Sequence, residues 1–124
     1  MNEFTGNSSL RFPRYGDIWD TNFDSAVGAE IAKRRPSLIV SNDFNNEFTN
    51  RVTVLPLTSR PIHDGYPFEV LVPKGTGGLT ADSRILANQI RTIDKRRLVS
   101  LRGKLPAQYI PQVERAIKIH LNMR

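Results

Sequence analysis

The chain has 124 residues, a formal net charge of +6 and no cysteine. That length fits one ordinary domain with a real hydrophobic core, and the lack of thiols excludes disulfides and thiolate metal sites. The longest aliphatic runs are broken by charge, Pro or Asn well before the roughly 20 apolar residues of a membrane span, and the polar start MNEFTGNSSLRFPRYG has no secretory apolar region.

Taken in chain order, residues 1–13 lack periodicity, are rich in Asn, Ser and Gly, and end at Pro13. They read as a flexible leader. GDIWDTNF, with Ile18, Trp19 and Phe23, predicts a first strand. After the loop DSAVGAEIAKRR, Pro36 is expected to open a second strand, SLIVS, because proline is tolerated where a strand's first N–H is not needed. NDFNNEF predicts a turn or one-turn helix capped by Asn42 or Asp43.

RVTVLPLTS is β-branched and strand-like, and its Pro56 implies an edge or a local break in the ladder. Asp64-Gly65 is a hairpin signal before the alternating PFEVLV. PKGTGGLTADS reads as a glycine-rich loop whose glycines supply turn flexibility. It lacks the spacing of a phosphate-gripping loop and no Gly-Lys-Ser/Thr follows. Residues 84–93, RILANQIRTI, alternate as one further strand. In the tail, Ile110, Val113, Ile117 and Leu121 recur at helical spacing; Pro106 can begin that helix and Pro111 falls in its first turn. Five or six short strands without a strand-helix rhythm, closed by one amphipathic helix, predict an α+β, mostly β chain: a small antiparallel β-barrel with short helices.

The positive charge is concentrated in RTIDKRRLVSLRGK, residues 91–104, where Arg91, Lys95, Arg96, Arg97, Arg102 and Lys104 face a single Asp94. A basic patch of this kind favours a polyanionic partner, since phosphate contacts release counterions; a solvated face is the plainer alternative. Trp19 and Phe23 have the chemistry to stack bases, although a lone tryptophan in a first strand more often serves a core or a dimer interface. His63 and His120 are the two imidazoles, and neither has a carboxylate at metal-ligand spacing, so no metal site is expected. His120 falls at the boundary of the helix, and His63 lies in a turn, where an ordinary surface histidine is the plainer reading than a contact to a polyanionic partner.

Read together, GDIW (16–19), VGAEIAKRRPSLIVSND (27–43), VTVLPLTS (52–59), YPFEVLVP (66–73), GTGGLTADS (75–83) and NQIRTIDKRRL (88–98) resemble, in order and spacing, the MazF/PemK family of toxin endoribonucleases. The resemblance runs from residue 14 to the C-terminus, making 14–124 the toxin-like domain. It implies an SH3-like barrel, usually a homodimer, that cuts single-stranded RNA without a metal or other cofactor and is held inactive by a cognate antitoxin. Such a protein works in the cytoplasm. The implied products are a 2′,3′-cyclic phosphate and a 5′-hydroxyl.

On this resemblance Arg35, directly before Pro36, matches the arginine of the family's RP motif. A guanidinium offers a planar fork for two phosphate oxygens, so transition-state stabilisation is its first role. Thr58 in PLTS matches the active-site threonine, with Ser59 beside it. Glu30 matches a loop glutamate that orients Arg35 or accepts a proton, or is a plain loop carboxylate. Lys33, Arg34, Arg91, Lys95, Arg96 and Arg97 supply steering charge for RNA or receive an acidic antitoxin segment.

Asn88 departs from relatives that carry an acidic residue there as a proposed general base. An amide takes no proton at neutral pH, so Asn88 and Gln89 are assigned instead to reading base edges. Two other readings stand beside the nuclease: a CcdB-like toxin of the same architecture that binds DNA gyrase and cleaves nothing, and a catalytically silent relative that binds RNA or an antitoxin. The intact RP and LTS positions favour the enzyme.

Overall fold

The computed structural model describes residues 12–24, 27, 28, 30, 33–60 and 65–124. Seven antiparallel strands make one sheet: β1 (Asp17–Asn22), β2 (Arg34–Ile39), β3 (Arg51–Thr58), β4 (Glu69–Val72), β5 (Ser83–Leu86), β6 (Arg91–Asp94) and β7 (Leu98–Lys104). Two α-helices, α1 (Asp43–Phe48) and α2 (Ile110–His120), complete it with short 3-10 turns. The strand order is β4-β5-β3-β2-β1-β7, with β6 also beside β3. Among the described residues no ladder joins β7 to β4, so the sheet stands open where the sequence predicts a barrel. Among the described residues no helix is long and apolar enough to cross a membrane. The predicted leader lies, up to residue 11, outside the described residues.

Period-two alternation divides the apolar residues between two faces. Ile18, Leu38, Leu55, Leu57, Val70 and Ile85 pack on one side beneath Val113 and Ala116 of α2. Their chain neighbours Trp19, Ile39 and Val54, with Phe23, Val52, Ile93 and Leu98, form a second cluster on the other. Trp19 and Phe23 are therefore buried, at 6% and 0% exposure, and are not stacking platforms for bases. Helix α2 carries Pro111 in its first turn, as the spacing predicts. Its apolar stripe ends at Ile117; Leu121 falls past the helix and is 47% exposed. Asn42 caps α1, its side chain accepting from Asn45 N–H at 2.8 Å.

Three further departures have physical reasons. Strand β2 begins at Arg34, not after Pro36. Pro36 pairs with Asp20 of β1, but the pairing of β2 with β3 starts only at Ser37, so the proline sits beyond that ladder's end. The expected strand over 84–93 is two strands interrupted by a 3-10 turn, Ala87–Gln89. Both lie against β3: Leu57 faces Ile85 while Val54 faces Arg91, and the register shifts by the three residues that the turn bulges out. Pro56 sits in the gap where β6 gives way to β5, so β3 is central and the proline marks a local break, not an edge. The seventh strand is formed by LVSLRGK, the stretch distinguished in the sequence only by its charge.

The glycine-rich segment is a packed strap, not a flexible turn. Gly77 and Gly78 adopt φ of +55° and +81° and lie directly on β1 and β7. A methyl group at Gly77 would stand 2.6 Å from Ile18 Cδ1, and one at Gly78 would run into the Arg102 carbonyl oxygen. Only glycine permits both the left-handed backbone and the close approach.

Candidate active site

The register of the sheet assembles a row of side chains across four strands. Ser37 of β2 opposes Pro56 of β3, where that ladder begins; by the two-residue period Arg35 lies on the face of Ser37 and Thr58 on the face of Pro56, and both line one cavity. Thr58 in turn opposes Arg84 of β5, and Arg84 opposes Leu71 of β4. Directly opposed residues project to one face of an antiparallel sheet, with Cβ atoms about 5 Å apart. Arg35, Thr58, Arg84 and Leu71 therefore share one face in that sequence, although 36 positions of chain separate the first from the last.

Two cavities flank Thr58. The smaller, of about 160 Å³, is lined by Arg34, Arg35, Pro36, Thr58, Ser59, Thr80, Ser83 and Arg102 above Leu57 and Leu79. Three arginines and no carboxylate stand in its wall, which suits an anion. The larger, of about 410 Å³, lies on the other side of Thr58 and is lined by Ser59, Arg60, Leu71, Val72, Pro73, Asp82, Ser83 and Arg84. Thr58 is 6% exposed. Its Oγ1 accepts the Arg60 N–H at 3.2 Å, so the hydroxyl's own proton remains available to a ligand.

Arg102 is held by two contacts: Nε donates to Asp20 Oδ1 at 2.7 Å and Nη1 to the Gly78 carbonyl at 3.3 Å. Ser100 Oγ occupies Asp20 Oδ2 at 3.1 Å. The carboxylate and the glycine strap thus fix one guanidinium of the anion cavity before any ligand arrives, which lowers the ordering cost of binding. Lys33 precedes the site with a left-handed φ of 65°, and its carbonyl accepts the Phe23 N–H at 2.8 Å, closing the β1–β2 connection.

Of the residues predicted from sequence, Arg34, Arg35, Thr58 and Ser59 converge on the anion cavity, with exposed Lys33 beside them in sequence. Glu30 does not line it; its Oε1 accepts the Val27 N–H at 2.5 Å, stapling its own turn. Asn88 is exposed on the three-residue bulge and Gln89 half-buried there, and neither lines either cavity. His63 lies outside the described residues.

The basic run is dispersed by the fold. The Arg91 guanidinium sits 5.4 Å from the centre of the Phe23 ring. Arg96 forks onto Asp94 at 3.1 Å through Nε and Nη2, and this pairing holds the Asp94 carboxyl below its usual range. Arg97 donates to the carbonyls of Asn22 and Asp24, each at 3.2 Å, and ties down the end of β1. Lys95 is 5% exposed, its N–H donating to the Asn50 carbonyl at 2.9 Å, and burial lowers its ammonium pKa. The 91–97 segment is therefore largely structural, and Arg102 is the residue of the run that lines one of these two cavities.

A buried ammonium costs stability that an apolar isostere avoids. Lys95→Met is expected to leave stability unchanged or raise it by about 1 kcal/mol, read as a higher Tm, and to leave RNA cleavage unaltered. A loss of cleavage at unchanged stability would instead give Lys95 a contact with RNA.

Sequence reasoning placed Arg102 only within the basic run that guides RNA or receives an antitoxin, and missed Ser83 and Arg84 as site residues. Arg102 had a signal, its place in the basic run, but nothing separated it from its structural neighbours. Ser83 had only its place at the end of the GTGGLTADS block, and Arg84 its place at the start of RILANQIRTI. Among the described residues no group of His, Cys, Asp or Glu side chains is arranged to hold a metal ion.

Residues 14–121 match the model of the family described as PemK-like, MazF-like toxin of type II toxin-antitoxin system. The chain belongs to this family. It is 39% identical over 115 residues to endoribonuclease MazF9 of Mycobacterium tuberculosis, covering 89% of this chain and 97% of that protein. Among solved structures, MazF from Deinococcus radiodurans is similar at a TM-score of 0.78 and 32% identity, over 90% of this chain and 98% of that one. A MazE-MazF structure from the same organism matches at a TM-score of 0.72 and 30% identity, over 91% and 98%. For a member of this toxin family, the Arg35–Thr58 row and its arginine-lined cavity are the features that demand a chemical role.

Proposed function

We propose that this toxin-family chain is an endoribonuclease that cuts single-stranded RNA at the Arg35–Thr58 pair. The observation that carries the reading is the juxtaposition of a guanidinium and a buried threonine hydroxyl on one sheet face, beside a cavity holding three arginines and no carboxylate. The scissile phosphate sits in that cavity. Arg35 spans two of its oxygens, and Arg34 and Arg102 add charge, so the negative charge that builds on phosphorus during attack is stabilised by groups already in place.

The 2′-oxygen of the preceding nucleotide attacks phosphorus and loses its proton as the P–O5′ bond breaks. The departing 5′-oxygen takes up a proton, leaving a 2′,3′-cyclic phosphate and a 5′-hydroxyl. Thr58 donates its hydroxyl to a phosphoryl oxygen, and Arg60 N–H fixes that hydroxyl's lone pair so that the proton points toward the ligand. Asn88 accepts no proton at neutral pH, and the Glu30 carboxylate is already occupied by its own turn; in this assignment most of the rate enhancement comes from charge stabilisation and positioning, without a metal.

The partners follow from the same reading: a second copy of the chain, and a cognate antitoxin of the MazE kind whose acidic segment competes with RNA for the arginines. Its place of action is the cytoplasm, where messenger RNA is available.

The test is incubation of the purified protein with long single-stranded RNA in EDTA, followed by mapping of cut sites and end groups beside Thr58→Ala. Discrete cuts with cyclic phosphate ends that disappear in the variant are the expected result. Intact RNA at protein concentrations well above substrate would overturn the reading and favour a gyrase-binding or catalytically silent toxin.

A further inference from the structure

The larger cavity plays no part in the phosphate chemistry, yet it shares Thr58, Ser59 and Ser83 with the anion cavity. It extends the cross-strand row outward from Thr58 to Arg84 and Leu71. Those two strand steps span roughly 10 Å, a distance on the scale of one nucleotide step from a phosphate to a neighbouring base. Its volume of about 410 Å³ is within the usual range of ligand pockets, roughly 300–1,000 Å³.

Its wall is chemically two-sided. Leu71, 61% exposed, and Pro73, two residues on, form an apolar shelf for a planar ring. Opposite in character are Asp82, just before β5, and Arg84 within it, both lining this cavity. Asp82 Oδ1 accepts the Lys74 N–H at 2.8 Å, which fixes the carboxylate. Arg84 is oriented by Glu69, Nη1 to Oε1 at 3.4 Å, and Arg60 stands at the same cavity.

We infer that this cavity selects a guanine next to the scissile phosphate. The inference rests on the ribonuclease reading for its place beside the cut. Single-stranded RNA exposes base edges to such a pocket. Guanine alone among the four bases offers a ring N–H and an exocyclic amine side by side for one carboxylate, together with O6 and N7 as acceptors for a guanidinium. Uracil lacks the amine, adenine and cytosine lack a ring N–H on that edge, and none of them gives both carboxylate oxygens a donor while also accepting from the arginine.

The experiment has two arms. In the first, a random-sequence RNA library is cut by the intact protein and the ends are sequenced. Guanine is expected to be enriched at one position within a nucleotide or two of the cut. Asp82→Asn, which keeps an acceptor for the Lys74 N–H, is expected to reduce the guanine-to-adenine ratio at that position about tenfold. Cutting without guanine enrichment, or enrichment that persists in Asp82→Asn, overturns the inference.

The second arm titrates the protein with each of the four nucleoside 5′-monophosphates, followed by NMR shifts of residues 71–73 and 82–84. Guanosine monophosphate is expected to bind tightest, with the preference lost in Asp82→Asn; equal binding of all four overturns the subsite. If the protein cuts no RNA, the ribonuclease reading falls while this arm still decides the pocket.

Discussion

Arg35→Ala is expected to lower kcat for RNA cleavage by about 10²- to 10³-fold, the effect of deleting one preorganised group that stabilises transition-state charge. The loss should appear in kcat more than in KM, because the charge on phosphorus grows only as the 2′-oxygen attacks while Arg34 and Arg102 continue to hold the ground-state phosphate. Arg35→Lys separates charge from shape. Lysine keeps the cation and loses the planar fork, so an intermediate rate is expected. Far-UV circular dichroism and Tm serve as the control for folding. Cleavage within about twofold of the parent in Arg35→Ala, with both controls intact, would remove Arg35 from the chemistry and with it the role assigned to the row.

Gly78→Ala is expected to be among the most destabilising single-methyl changes in the molecule. The position has φ of +81°, and the new methyl meets the Arg102 carbonyl oxygen, with the carbonyl carbon at 2.9 Å and Arg102 Cβ at 3.2 Å. The left-handed backbone costs an L-residue about 1–2 kcal/mol, and forcing a methyl into a filled contact adds about 1–3 kcal/mol. Together they predict a loss near 3 kcal/mol, read as a Tm lower by about 10 °C for a chain of this size.

Gly75→Ala is the matched comparison. It has φ of +92° but nothing within 4 Å of the added methyl, so only the backbone cost, about 1 kcal/mol, should remain. Because Gly78 also accepts from Arg102 Nη1, displacing it should weaken RNA cleavage beyond the loss of folded protein. Equal Tm values for the two variants would show that the strap tolerates displacement and does not brace β7.

The strap also shows why a glycine-rich loop was misread. Turn composition marks Gly77 and Gly78 as conformationally permissive, but permissiveness serves two ends, motion and close approach. What decides between them is the neighbour, and that neighbour, β7, is more than 20 residues away in sequence. A similar ambiguity governed the basic run. Lys95, Arg96, Arg97 and Arg102 look alike in the chain, yet one is buried, one is paired to Asp94, one holds carbonyls at the end of β1, and one enters the anion cavity.

The sequence by itself determined the strand-rich composition, a helix cap at Asn42 or Asp43, the closing amphipathic helix and, through its resemblance, the candidacy of Arg35 and Thr58. These are properties of residue type and short spacing, which local physics reads directly: β-branched runs extend, Asn caps, and apolar residues three and four apart make one helix face. Tertiary structure alone decided that RILANQIRTI breaks into two strands, that LVSLRGK forms a seventh, and that Arg35, Thr58, Arg84 and Leu71 align in one row. Register between strands is a long-range quantity, fixed when two apolar faces must be buried at once. The row draws on strands from separate stretches of the chain, so it, and the cavity beside it, exist only once those strands have paired.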